Sequence, residues 1–259
     1  MKFLYSRLNK RWLLLALAIG LLVCIAQFLL QGQIPVEDTP YTRWLGIDPF
    51  SFTSTIFFIL LPLIASLPAG IMLKEDQDSG LLAKFKLTNT LQSVLGKYIF
   101  TAFISGFVVI ALPLLVNLTL WLLRLPNIKP DNLLNGRALI ININTFFVSL
   151  YYTHPFVHSV LAILFAGIWG GLFAVFVMVT SIWISNRFVA LCSSLILQIA
   201  IFVLNSFIKL PNNISYSPAD FLHNGPVTNV SLAVTGIVTL LMIVYCLVML
   251  FLAEKRLVQ

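Results

Sequence analysis

His154 and His158 stand four residues apart, the spacing that puts two imidazoles on one helix face as metal ligands. They flank Pro155 at the mouth of an apolar run and have no nearby carboxylate or cysteine. The expectation is therefore interfacial histidines and no metal site. His223 is expected in a loop without a partner. The chain has nine acidic residues, and all fall in loops or at the ends of apolar runs. No HExxH motif and no GxxxxGK[ST] loop occurs, so zinc-protease chemistry and P-loop nucleotide binding are not available. No apolar run holds a central Asp, Glu, Lys, Arg or His, the usual mark of an ion-coupled carrier. No catalytic residue is assigned, and the chain is not expected to be an enzyme by itself. Energy for any uphill movement would come from another polypeptide.

The elements that must position these residues are set by composition. Hydrophobic residues are 59% of the chain and charged ones 10%, with a mean hydropathy of +0.99. Soluble proteins average about 25% charged. A bilayer core needs about 20 apolar residues per helix. Six runs qualify, at 12–30, 52–73, 98–123, 157–184, 189–208 and 231–253. Open sheets cannot satisfy their backbone in lipid, so the predicted fold is an all-α polytopic bundle of six transmembrane helices, a single membrane domain over 1–259. An even number of spans puts both termini on one side. That side then carries eleven of the 16 Lys and Arg residues, which predicts cytoplasmic termini. The formal charge of +7 reflects this topology, and no nucleic-acid partner is expected. The first run lacks an A-x-A-like exit and is read as an uncleaved helix. Cys24, Cys192 and Cys246 fall inside spans and are read as free thiols.

Polar groups inside the spans are few. Asn117, Gln198 and Asn205 are candidates to line a translocation path, or else to bond helices together. Pro62, Pro68 and Pro113 interrupt the second and third spans, and Gly167, Gly170 and Gly171 lie in the fourth. Pro62, Pro68, Pro113, Gly170 and Gly171 are hinge candidates, with static packing as the other reading. The outer loop 31–51 is expected to be irregular, with Tyr41 and Trp44 at headgroup level. Within the outer segment 124–156, Leu133–Tyr152 is expected to lie on or dip into the outer leaflet, while Asn142 and Asn144 argue against a further span. Ser217-Pro218-Ala219-Asp220 predicts the start of a short helix.

One inner connection is sizeable. Residues 74–97 read as two short helices. Asp78 or Ser79 caps the first, with Leu81, Leu82 and Phe85 on one side. Thr88-Asn89 breaks it, and Thr90 caps the second, which runs into the third span. A hairpin on the lipid surface is one reading. A helix that docks in a groove of a cytoplasmic partner is the other.

The segment Glu75-Asp76-Gln77-Asp78-Ser79-Gly80 through Gly96-Lys97-Tyr98, set between spans two and three of six, resembles the type-2 ATP-binding-cassette exporter permeases of bacteria. The resemblance covers nearly the whole chain. It implies a membrane subunit that pairs with a second permease copy or a sister permease, in the bacterial plasma membrane. Separate ATPase subunits below would bind ATP and Mg, and this chain would bind no nucleotide. Coupling to the ATPase would run through Glu75, Asp76, Asp78, Gly80, Leu81, Leu82, Lys84, Phe85 and Lys86. Cargo would be hydrophobic or amphipathic, such as an antimicrobial peptide, an antibiotic or a lipid taken from the membrane. Two other expectations stand beside it. One is a non-transporting immunity or scaffold protein. The other is an intramembrane lipid- or peptide-modifying enzyme built on His154, His158, Asp131 and Asp220.

Overall fold

The computed structural model describes residues 8–30, 39–88, 90–133, 140–225 and 229–258, with the side chains of 83, 86–88, 257 and 258 outside that set. Among the described residues, five helices are long and apolar enough to cross a bilayer: α1 (Lys10–Leu30), α6 (Leu91–Arg124), α8 (Pro155–Thr180), α9 (Arg187–Phe207) and α11 (Leu232–Val258). Shorter helices are α2 (Pro40–Arg43), α3 (Phe52–Ser66), α4 (Met72–Asp78), α5 (Leu81–Thr88), α7 (Val148–Thr153) and α10 (Pro218–Leu222). No strand occurs among the described residues, beyond one isolated bridge between Ile214 and Asn229. The chain is a multi-pass all-α membrane protein.

The expected second span, 52–73, is not one helix. The 15 residues of α3 span only about 22 Å, short of a bilayer core of about 30 Å. A turn over 67–71 then separates α3 from α4. Pro68 has no N–H for the Ile64 carbonyl. Gly70 N bonds Ser66 O at 2.8 Å, and a Cβ at Gly70 would come within 2.6 Å of that oxygen. Pro62 and Pro113, by contrast, sit inside continuous helices.

Helix α8 is the centre. It packs most extensively on α6 and also touches α3, α9 and α11. Residues 171–180 are buried on every side, as expected for a helix that is apolar all round. Gly106 and Gly170 let α6 and α8 meet backbone to backbone: a Cβ on Gly106 would lie 2.6 Å from Gly170 O. Gly167 and Gly171 receive the rings of Phe107 and Phe103. The outlying helices touch the core along narrow stripes of small or polar residues. On α1 these are Ala16, Gly20, Cys24 and Gln27, and on α9 Ala190, Ser194 and Gln198. Such stripes suit helices in lipid, where close approach and hydrogen bonds replace the hydrophobic drive.

At one end of the bundle lies the hairpin α4–α5. The guanidinium of Arg256, late in α11, stacks 5.9 Å from Trp183 at that same end. The opposite end is closed by residues 39–48, all buried, which fold inward as a plug. Tyr41 and Trp44 are therefore core residues, where headgroup positions were predicted. The plug is held from inside, which explains the difference.

Candidate functional site

The hairpin comes first. Gly80 joins α4 to α5 with φ +71, a left-handed turn that a side chain would strain. Thr90 stands as the N-cap residue of α6 in extended backbone, as the sequence predicts, although its side chain makes no cap bond. Three contacts pin the hairpin to other helices. The buried Lys74 donates to Ile184 O and to Ser185 O (2.8 Å), just past α8. Asp76, also buried, accepts from Tyr98 OH on α6 at 2.5 Å. Arg187, the first residue of α9, donates to Asp78 at 3.0 Å and lies 3.8 Å from Glu75. The predicted coupling acids thus divide: Asp76 is an internal strut, while Glu75 and Asp78 are half-exposed partners of Arg187. On α5, Leu82 is buried and Phe85 packs against the same core, so much of its apolar side is used inside the chain. Leu81 is half-buried and Lys84 is exposed. The side chain of Lys86 lies outside the described set.

The three candidate path residues do not come together. Asn117 belongs to a saturated network under the plug. Its Nδ2 donates to Gln27 Oε1 (2.9 Å) and Cys24 O (3.2 Å), and its Oδ1 accepts from Leu45 N (2.8 Å). Gln27 Nε2 donates to Arg43 O (2.7 Å) and Asp48 Oδ2 (2.9 Å), and Trp121 Nε1 donates to Gln27 Oε1 (3.0 Å). The sequence reading missed Gln27, whose signal was its place on the small-residue stripe of α1. Gln198 answers Pro62: its amide donates to Phe58 O at 2.6 Å, the carbonyl that proline leaves without an N–H. Cys24 Sγ donates to Pro113 O itself at 3.2 Å, which is not the carbonyl that this proline frees. A Cβ on Gly20 would lie 2.8 Å from the Pro113 ring, so the two interlock.

Asn205 lies at the plug end. It bonds Asp220 (3.2 Å) and Tyr216 N (3.2 Å) and lines a cavity of about 440 Å³ with Lys209, Asp220 and His223. Burial raises the Asp220 carboxyl above its ordinary range, opposed by the Ser215 hydroxyl at 2.7 Å. His223 departs from the partnerless reading. It stacks on Phe58 (5.4 Å) and bonds the Asp48 backbone, and burial lowers it to about 4. The predicted helix at Pro218 is α10, with Ser217 as its N-cap.

The candidate enzyme residues are dispersed. His158 is buried against Phe146 O, exposed His154 lines a separate cleft with Tyr41 and Lys129, and Asp220 lies in the cavity just described. Among the described residues, no group of three His, Cys, Asp or Glu side chains could hold a metal. All three cysteines are free. The chain matches no family model, no curated protein and no solved structure.

Proposed function

We propose that this chain is the membrane subunit of an ATP-driven exporter, with the hairpin end cytoplasmic and six membrane-crossing segments, α3 with α4 forming the second. A separate ATPase binds ATP and Mg, and a second permease, copy or sister, completes the membrane unit. The cargo is hydrophobic or amphipathic.

The single observation that supports this reading is the pinning of the hairpin. A subunit driven from below needs a connection that moves the helices when it is pushed. Here α4 is bonded to the ends of three helices: through Lys74 to the residues after α8, through Asp76 to α6, and through Asp78 to α9. Lys74 and Asp76 are buried and bond as charged groups, so these two contacts resist slipping more than the exposed Arg187–Asp78 pair does. A displacement of the hairpin therefore reaches the centre of the bundle with little slack. The exposed Lys84 and the half-exposed Glu75 and Asp78 offer a polar face to an acidic and basic partner surface.

The test is co-purification and reconstitution: a soluble P-loop ATPase should co-purify with this chain. Cargo efflux from liposomes should require both proteins and ATP. Arg187→Glu, which repels Glu75 and Asp78, should lower cargo-stimulated ATP hydrolysis at least fivefold while the bundle stays folded. Transport by this chain alone would overturn the reading.

A further inference from the structure

A cavity of about 620 Å³ opens between α8 and α11 near the plug end, within the size range of small-molecule sites. Its walls are apolar, with Phe165 and Leu240 among them. Apart from Thr239, whose hydroxyl is taken up by Thr235 O, its polar groups gather at one end. His158 is one turn into α8, Thr235 one turn into α11, and Asn224 is in the adjoining loop.

All three are at least nine-tenths buried, and each has a buried polar atom without a hydrogen-bond partner: His158 Nδ1, Thr235 Oγ1 and Asn224 Oδ1. Buried polar atoms are rarely left bare, and each such atom calls for an explanation. The histidine's role is fixed by its neighbour. His158 Nε2 meets Phe146 O at 3.1 Å, and a carbonyl only accepts, so Nε2 carries the proton and Nδ1 of the neutral ring presents a lone pair. Phe147 adopts a left-handed backbone (φ 52) next to that carbonyl, at the cavity rim. The threonine is equally telling. Thr101, Thr153, Thr180 and Thr239 all turn their hydroxyls back to the carbonyl four residues earlier, the usual fate of a helical threonine. Thr235 makes no such bond.

The wall of α8 that lines the cavity runs from His158 to Ile168, about 15 Å, or half of a bilayer core of about 30 Å. The site is therefore amphipathic along the membrane normal, polar at the bilayer edge and apolar toward the middle. We infer that this cavity holds one chain of a membrane amphiphile from the plug-end leaflet, whose head donates hydroxyl or N–H hydrogen bonds to His158 and Asn224 and pairs with Thr235. The inference needs only the membrane reading and stands whether or not an ATPase drives the chain.

The experiment measures binding of 1-monooleoylglycerol and of methyl oleate, which has the same tail and no donors, to the full chain purified in detergent. Monooleoylglycerol should bind saturably, one per chain, and at least tenfold tighter than the ester. Thr235→Val should weaken it at least fivefold. Gly236 lines the cavity, and a Cβ there would meet nothing within 4 Å, so Gly236→Leu should fill the groove and abolish binding without unfolding the helix. Equal binding of the two probes would reduce the site to a greasy surface and overturn the inference. So would unchanged binding to Gly236→Leu. Dissociation of a dimer by Gly236→Leu would also overturn it, since a second copy would then be what covers the groove.

Discussion

Replacing Gln198 by leucine should destabilise the bundle only as long as Pro62 is present. The Gln198 amide donates to Phe58 O at 2.6 Å and to Ile59 O at 3.1 Å from a fully buried position. Leucine keeps roughly the volume and removes the donor, leaving the Phe58 carbonyl bare in a helix that lies in lipid. A buried carbonyl without a partner costs about 1–3 kcal/mol. Interhelical bonds measured in a membrane protein average nearer 0.6, with a maximum of about 1.7 kcal/mol. A partial gain offsets the loss, because Gln198 Oε1 is itself buried without a partner and disappears with the amide. The expected net cost of Gln198→Leu is about 1 kcal/mol. Pro62→Ala restores the N–H of residue 62, so Phe58 O pairs within α3 and the glutamine loses its task. In that background Gln198→Leu should be neutral or stabilising. Reversible unfolding in mixed micelles of the wild type, both single variants and the double variant gives the coupling, expected at about 1 kcal/mol. An equal cost of Gln198→Leu with and without Pro62 would refute the link between the two residues.

The inner struts should separate by burial. Asp76→Ala removes the buried carboxylate that accepts from Tyr98 OH and should cost about 2 kcal/mol, whereas Arg187→Ala breaks half-exposed pairs and should cost under about 1 kcal/mol by the same unfolding assay. Gly80→Ala meets no steric contact but must hold φ +71, so a loss of about 1 kcal/mol is expected, with Gly80→Asn losing less. Gly170→Ala should be worse than Gly80→Ala, about 1–3 kcal/mol, because its Cβ would lie 2.7 Å from Ile110 and 2.9 Å from the immovable Gly106 O. His223 should make stability depend on pH. Its folded value is lowered from 6.5 to about 4, so the unfolded chain takes up the proton first. Stability is full above about pH 6.5, falls as pH drops toward 4 and is flat below, by at most about 3 kcal/mol, with screening at its exposed edge reducing this toward 2. The raised Asp220 acts in the opposite sense, gaining stability as pH falls, so the comparison is between wild type and His223→Gln, whose curve should lack the His223 slope.

Helix count and placement were mostly legible in the residues. A bilayer sets a length, and apolar runs of that length announce α1, α6, α8, α9 and α11 without reference to their neighbours. Thr90 and Ser217-Pro218 mark ends by local backbone chemistry, which acts within a few residues and is therefore written where it acts, whereas Asp78 and Ser79, read as the cap that starts a helix, end α4 instead. The prolines show where that reach stops. Pro62 and Pro68 are the same residue six positions apart in one apolar run, yet the first stays inside α3 and the second lies in the turn that ends it. Part of the difference is Gln198, 140 residues along the chain from the carbonyl it serves. The plug is a second case. Residues 39–48 carry the proline and polar groups of a surface loop, and they fold inward because Gln27 and Asn117 from two helices meet their backbone. Which helix faces meet depends on packing summed over the whole bundle, and no window of neighbouring residues contains that sum.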